Sequence, residues 1–273
     1  MATSLIARGE RERVFLAPWL FPATVGLIAL LFFAAPGSLA AKAHWAVHGL
    51  CAQTPSHSLT LGGQRLPFDA RMTGIYAGAL STAFWLLRWG RFRAWRLPPG
   101  RVLVVLALSA AAMGIDGTNS LAHDLGFATP YAPNNVIRLA TGLATGTALA
   151  VALCFLLATT LWRRGDDRPT LTGIGEWALL AVFQLPIAAA LLSGNGLLFA
   201  PAAMTLAAAA CGVIAALVLA SGLLALGWDR RFGRWREAAP AASLALLAAV
   251  AIMAAAAAGR IALEAALGPS PLT

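Results

Sequence analysis

Three charged side chains stand where long apolar runs begin or end: Arg71, Asp116 and Arg138. Ionisable groups at the ends of lipid-embedded helices turn toward neighbouring helices and find partners there. The three are therefore expected to converge. One carboxylate between two guanidinium groups leaves a positive charge over. That surplus suits a phosphate or a carboxylate, which guanidinium binds through paired hydrogen bonds. Tyr76, Asn119 and Thr141 would add neutral hydrogen bonds. The competing arrangement is a closed ion-pair network that locks three helices, or arginines whose heads reach lipid headgroups while their stems stay in the apolar layer.

A second group is His44, His48 and Cys51, spaced i, i+4, i+7 and so on one face of a helix. With His57 or Asp69 it would offer a metal nitrogen, sulfur and oxygen ligands. Neither Cys-x-x-Cys nor His-Glu-x-x-His occurs, so no metal centre is assigned. His44, His48, Cys51 and Asp69 are the ligands a metal would use. An interfacial helix carrying Trp45 accounts for the same residues. His123 and Asp124 are adjacent and would serve an enzyme as general base or proton shuttle; as a solvated loop pair they would do neither. Gln184 and Pro186 interrupt an apolar run, as in a helix kinked by proline or one broken along a transport path. Cys51, Cys154 and Cys211 make an odd count, two of them within apolar runs, which argues against a disulfide framework.

Lipid must surround the elements that carry these residues. Of 273 residues, 59% are hydrophobic and 11% charged, with a mean hydropathy of +0.75. A soluble domain carries roughly 25% charged residues. Spans of about 20 apolar residues are expected at 14–35, 72–90, 101–116, 136–162, 174–193, 200–227 and 239–265. The third is short and is expected to extend into the polar residues after it. The fold class is all-α: a polytopic transmembrane bundle of about seven spans forming one domain over 1–273. The run after Arg8, Arg11 and Arg13 is longer than the 7–15 apolar residues of a signal peptide, so it is expected to stay as a helix.

The net charge of +9 reflects topology. Fifteen of the twenty Lys and Arg residues fall at the N-terminus and in alternate gaps; the other five are Lys42, Arg65, Arg71, Arg138 and Arg260. The excess of positive charge on cytoplasmic loops then puts the N-terminus inside and the C-terminus outside. Trp89, Trp95, Trp162, Trp177, Trp228 and Trp235 are expected at the inner interface. The basic gaps look like topology determinants and little else. They carry no nucleic-acid-binding signature. The outer segments 36–71 and 116–138 hold all four His residues and Tyr131, so a site is expected to face outward.

Two short passages are alike. Arg71-Met72-Thr73-Gly74 and Arg138-Leu139-Ala140-Thr141-Gly142 each lead into Gly-x-x-x-Gly, a spacing that lets helix backbones approach closely. The stretch Cys51-Ala52-Gln53-Thr54-Pro55, with Gly62-Gly63-Gln64-Arg65-Leu66-Pro67-Phe68-Asp69-Ala70-Arg71 and on to Tyr76, resembles the first signature of a prokaryotic family of multi-pass membrane proteins, the domain-of-unknown-function family 2085. Asp116-Gly117 and the run Asn134 to Gly142 resemble its second. The resemblance covers roughly 45–150; the apolar half, about 170–267, carries no such signature. Many members have Cys-His-Gln and Cys-Ala-Arg-Cys where this chain has Cys51-Ala52-Gln53 and Asp69-Ala70-Arg71-Met72. The metal or redox cluster that the family pattern implies lacks three of its positions here.

The expected function is recognition, at the outer face of the plasma membrane, of an anionic small molecule or lipid headgroup. Arg71, Tyr76, Asp116, Asn119, Arg138 and Thr141 would form the site. The alternatives are a transporter component and an assembly subunit of a membrane complex. Besides the bilayer, no protein partner is specified.

Overall fold

The computed structural model describes residues 19–267. The expected positions of Arg8, Arg11 and Arg13, and residues 14–18 of the first span, lie outside them. The described residues form helices α1 (Trp19–Ala34), α2 (Leu39–Ala46), α3 (Ala70–Arg88), α4 (Gly100–Asp124), α5 (Asn135–Leu161), α6 (Ile174–Leu192), α7 (Phe199–Ala225) and α8 (Trp235–Leu267). Four short strands join them: β1 (Ser58–Leu61), β2 (Gln64–Asp69), β3 (Ala94–Arg96) and β4 (Asp166–Pro169).

Five helices, α4 to α8, are long and apolar enough to cross a membrane. The third expected span does run on through the polar residues, to Asp124. Helix α1 is apolar but shorter. Helix α3 includes Arg71 with Gly, Thr and Ser residues, and is less apolar than the five. It is nonetheless central, wedged against α5 by the two Gly-x-x-x-Gly segments. A Cβ on Gly74 would stand 2.9 Å from Gly142 Cα, and one on Gly78 2.9 Å from Leu143 Cα; one on Gly146 would meet Ala79 N at 2.7 Å. No side chain fits between these backbones. Gly142 meets Gly74, and Gly146 one turn on meets Gly78, so the helices run parallel and carry Arg71 and Arg138 to the same end.

The fold departs from all-α at both ends. Strands β1 and β2 form an antiparallel hairpin whose two-residue turn, Gly62-Gly63, has φ of +58° and +76°. Two positive-φ residues define the turn that matches strand twist, and glycine adopts it without steric cost. Leu61, Leu66 and Phe68 are wholly buried against α2, α5 and α7. The hairpin thus seals the bundle core at the end where α3 and α5 begin.

The opposite end is an interlocked arginine-rich cap, which corrects the expectation that the basic gaps only set topology. Strand β3 pairs with β4 in parallel. Arg91 binds Glu176 at 2.8 Å, and Arg96 grips Asp167 with two nitrogens. Arg93 lies over the Trp162 ring at 4.4 Å. Trp95 and Trp162 donate to the Ala158 and Phe92 carbonyls at 2.9 and 2.8 Å. These two indoles are structural, whereas Trp228 and Trp235 remain exposed.

Candidate functional site

The hairpin end gathers a polar network from α3, α4 and α5. Asp69 caps α3 by accepting from Met72 N at 2.7 Å, which places Arg71 in the first turn. Arg71 Nη2 donates to Asp116 Oδ2 at 2.7 Å, and its guanidinium lies against Gly117. Asp116 is 1% exposed. Its second oxygen accepts from the Tyr131 hydroxyl at 2.9 Å. Arg138, 5% exposed, donates from Nε and Nη2 to Ser120 Oγ at 3.2 and 2.6 Å, and from Nη1 to Asn135 Oδ1 at 3.0 Å. Asn135 donates in turn to the Ser56 and Ser58 carbonyls, tying α5 to the hairpin. Asn119 Nδ2 donates to the Tyr131 carbonyl at 3.0 Å.

Asp116, Asn119 and Ser120 share one face of α4 because i, i+3 and i+4 positions stack. Arg71 and Asp116 meet directly. Arg138 reaches the same α4 face one turn away and uses each guanidinium nitrogen on a neutral partner.

Two of the expected residues point elsewhere. Tyr76 is buried against Phe68, ring centroids 4.7 Å apart. Five residues beyond Arg71 on a 3.6-residue helix, it faces well away from the guanidinium. The Thr141 hydroxyl bonds back to the carbonyls of Ile137 and Arg138 in its own helix. The tyrosine that does enter is Tyr131. Burial, reinforced by its bond to Asp116, holds its phenol above the usual range. No local spacing links residue 131 to 116, because the link depends on how the 125–134 loop folds back. Ser120 and Asn135 were also missed. They carried a signal: Ser120 lies four residues after Asp116, and Asn135 three before Arg138.

His44, His48, Cys51 and Asp69 are not brought together as a ligand set. Helix α2 ends at Ala46, so the i, i+4, i+7 face is not continued. His44 Nε2 lies 2.9 Å from the Arg65 carbonyl. His48 contacts Gln53 and Glu264, at 3.0 and 3.1 Å. Cys51 Sγ accepts from Gln53 N and Asp69 N, both at 3.4 Å. Burial, with the Asp69 charge adding, pushes that thiol up to about 11. Among the described residues, no three His, Cys, Asp or Glu side chains are grouped to hold a metal. His123 and Asp124 also part: Asp124 pairs with His57 at 3.4 Å, and His123 Nδ1 lies 3.4 Å from Thr129 Oγ1.

At mid-depth, Gln184 Nε2 lies 2.8 Å from Thr147 Oγ1 and 3.2 Å from Thr82 Oγ1, with all three residues buried. This joins α3, α5 and α6. Helix α6 runs on unbroken through Pro186.

Several apolar helices around buried polar ties define a membrane protein with multiple candidate spans. Residues 51–152 match the family model described as "Predicted membrane protein (DUF2085)". The match takes in the hairpin, α3, α4 and most of α5, and so the whole Arg71–Asp116–Arg138 network; it is the family whose signatures the sequence resembles. No curated protein and no solved structure matches the chain.

Proposed function

We propose that this protein recognises an anion, the phosphate or carboxylate of a small molecule or lipid headgroup, at the outer face of the cell membrane. Helices α1 and α3 join the five candidate spans α4 to α8 to make seven crossings. The hairpin end lies outside: among the described residues it holds five Lys and Arg, whereas the opposite end holds twelve Arg.

The observation that carries the reading is the incomplete pairing of Arg71. It gives one nitrogen to Asp116 and leaves Nε buried without a partner; buried Asn119 Oδ1 is likewise unpaired. A buried polar atom without a partner costs about 1–3 kcal/mol, so this end of the network is incomplete. A phosphate monoester or a hydroxyl-bearing headgroup offers both an acceptor for Arg71 and a donor for Asn119. Arg138, with each of its three nitrogens already bonded once, contributes positive field and holds α4 on α5.

The test is calorimetric titration of detergent-purified protein with inorganic phosphate and with acetate, together with native mass spectrometry for a retained lipid. Arg71→Gln is expected to weaken anion binding at least tenfold with the protein still monodisperse. An Arg71→Gln protein that binds anions as the parent does, or a parent that neither binds nor retains one, overturns the reading. A purely structural lock is the second reading, favoured by the two filled oxygens of Asp116. A transporter has less support, because the mid-depth groups Thr82, Thr147 and Gln184 bond to one another.

A further inference from the structure

A cleft of about 580 Å³ opens at the same end of the bundle but on the far side, between the chain after α2, the hairpin and the last turns of α8. It is built from both halves of the chain. Arg260 Nη1 and Nη2 donate to the carbonyls of His48, Cys51 and Ala52, which pins that segment onto α8. Gln53, held at a φ of +59°, donates to the His44 and Pro67 carbonyls and so sets the wall.

The charges of the cleft do not balance. Glu264 is its one carboxylate, and both oxygens are spent: Oε1 on Arg260 Nε at 2.7 Å and Oε2 on His48 Nε2 at 3.1 Å. Arg65 also lines the cleft. It is exposed, and among the described residues its guanidinium has no carboxylate partner. The His44 bond to its carbonyl fixes its backbone. Two guanidinium groups against one committed carboxylate leave a positive cleft. Beside Arg260 and Glu264 on α8, Ile261 and Ala265 add apolar surface to the cleft. The volume lies within the 300–1,000 Å³ of small-ligand pockets.

We propose that this cleft is a second binding site, distinct from the Arg71 network, and that it takes a phosphate ester. Arg65 supplies the free charge, the Arg260–Glu264–His48 group shapes the polar wall, and Ile261 and Ala265 receive the apolar part of the ligand. A phospholipid headgroup and a soluble phosphate ester share this chemistry.

Three probes separate the sources: inorganic phosphate, glycerol 3-phosphate and dihexanoyl phosphatidylglycerol, each titrated into the purified full chain and followed by ³¹P line broadening. Arg65→Ala removes the charge and Ala265→Trp fills the cleft; both positions are exposed, so neither substitution disturbs the core. Made in an Arg71→Gln background, which silences the first site, each is expected to weaken the remaining binding of at least one probe tenfold. Binding of the lipid probe alone assigns the headgroup source; binding of glycerol 3-phosphate as well assigns the soluble ester. Absence of binding by all three probes, or indifference to either cleft variant, overturns the proposal. Loss on Arg71→Gln instead would return the signal to the first site.

Discussion

Gly142 packs directly beneath the carbonyl oxygen of Arg71, so closely that a Cβ on it would overlap that atom and stand 3.0 Å from Gly74 Cα. The contact sets the depth of α3 against α5, and with it the reach of Arg71 to Asp116. One helix seam positions the charged network.

Gly142→Ala should therefore part the two helices. Overpacking a tight interior costs about 1–3 kcal/mol, occasionally more. A lowered melting temperature in detergent is expected. Gly212→Ala, where a Cβ meets nothing within 4 Å, should leave the melting temperature level or slightly raised. Equal effects from the two would refute the seam.

Removing Tyr131's hydroxyl strips one partner from a carboxylate that is almost wholly buried. Tyr131→Phe should destabilise the protein by about 1–3 kcal/mol. The phenol's raised pKa adds a pH signature. Its contribution to stability is complete below the ordinary tyrosine value of about 10 and is lost as pH rises through the folded-state value. Thermal melts between pH 9 and 11 should show a steeper alkaline loss for the parent than for Tyr131→Phe.

Gln184→Leu keeps the volume and removes the tie among α3, α5 and α6. Such bonds within membranes average about 0.6 kcal/mol and reach about 2. Thr82 and Thr147 still bond each other at 3.2 Å, so a modest loss is expected. A melting temperature that collapses would instead mark Gln184 as indispensable to the packing.

Cys51 should be inert in the folded protein. With its thiol pushed up to about 11, roughly one molecule in a thousand is thiolate at pH 8, against about a quarter for a free cysteine. Alkylation mapped by peptide mass spectrometry should be on the order of a hundredfold slower than in denatured protein. Prompt labelling would show that residues 51–53 open readily.

Much of the fold was legible because lipid imposes a simple rule: every backbone polar group must be satisfied inside its own helix, so spans read as long apolar runs. The run from 101 continuing past Asp116 was visible for such a local reason. The pairing of Arg71 with Asp116 was also foreseeable, since a charge at a helix end in lipid needs a partner nearby.

The rest depended on contacts between residues distant in sequence. Tyr131 came to Asp116, and His57 to Asp124, through loop folding that no periodicity encodes. The Gly62-Gly63 hairpin was hidden because its strands are short and their apolar residues look like helix ends. His44, His48 and Cys51 share a face only on a helix that continues, and this one stops at Ala46. The sequence determined the helices, their order and the charges at their ends, because those follow from spacing and solvent. Tertiary structure decided which charges are satisfied and which stay free, because a hydrogen bond requires its partners within about 3 Å, and only packing brings distant residues that close.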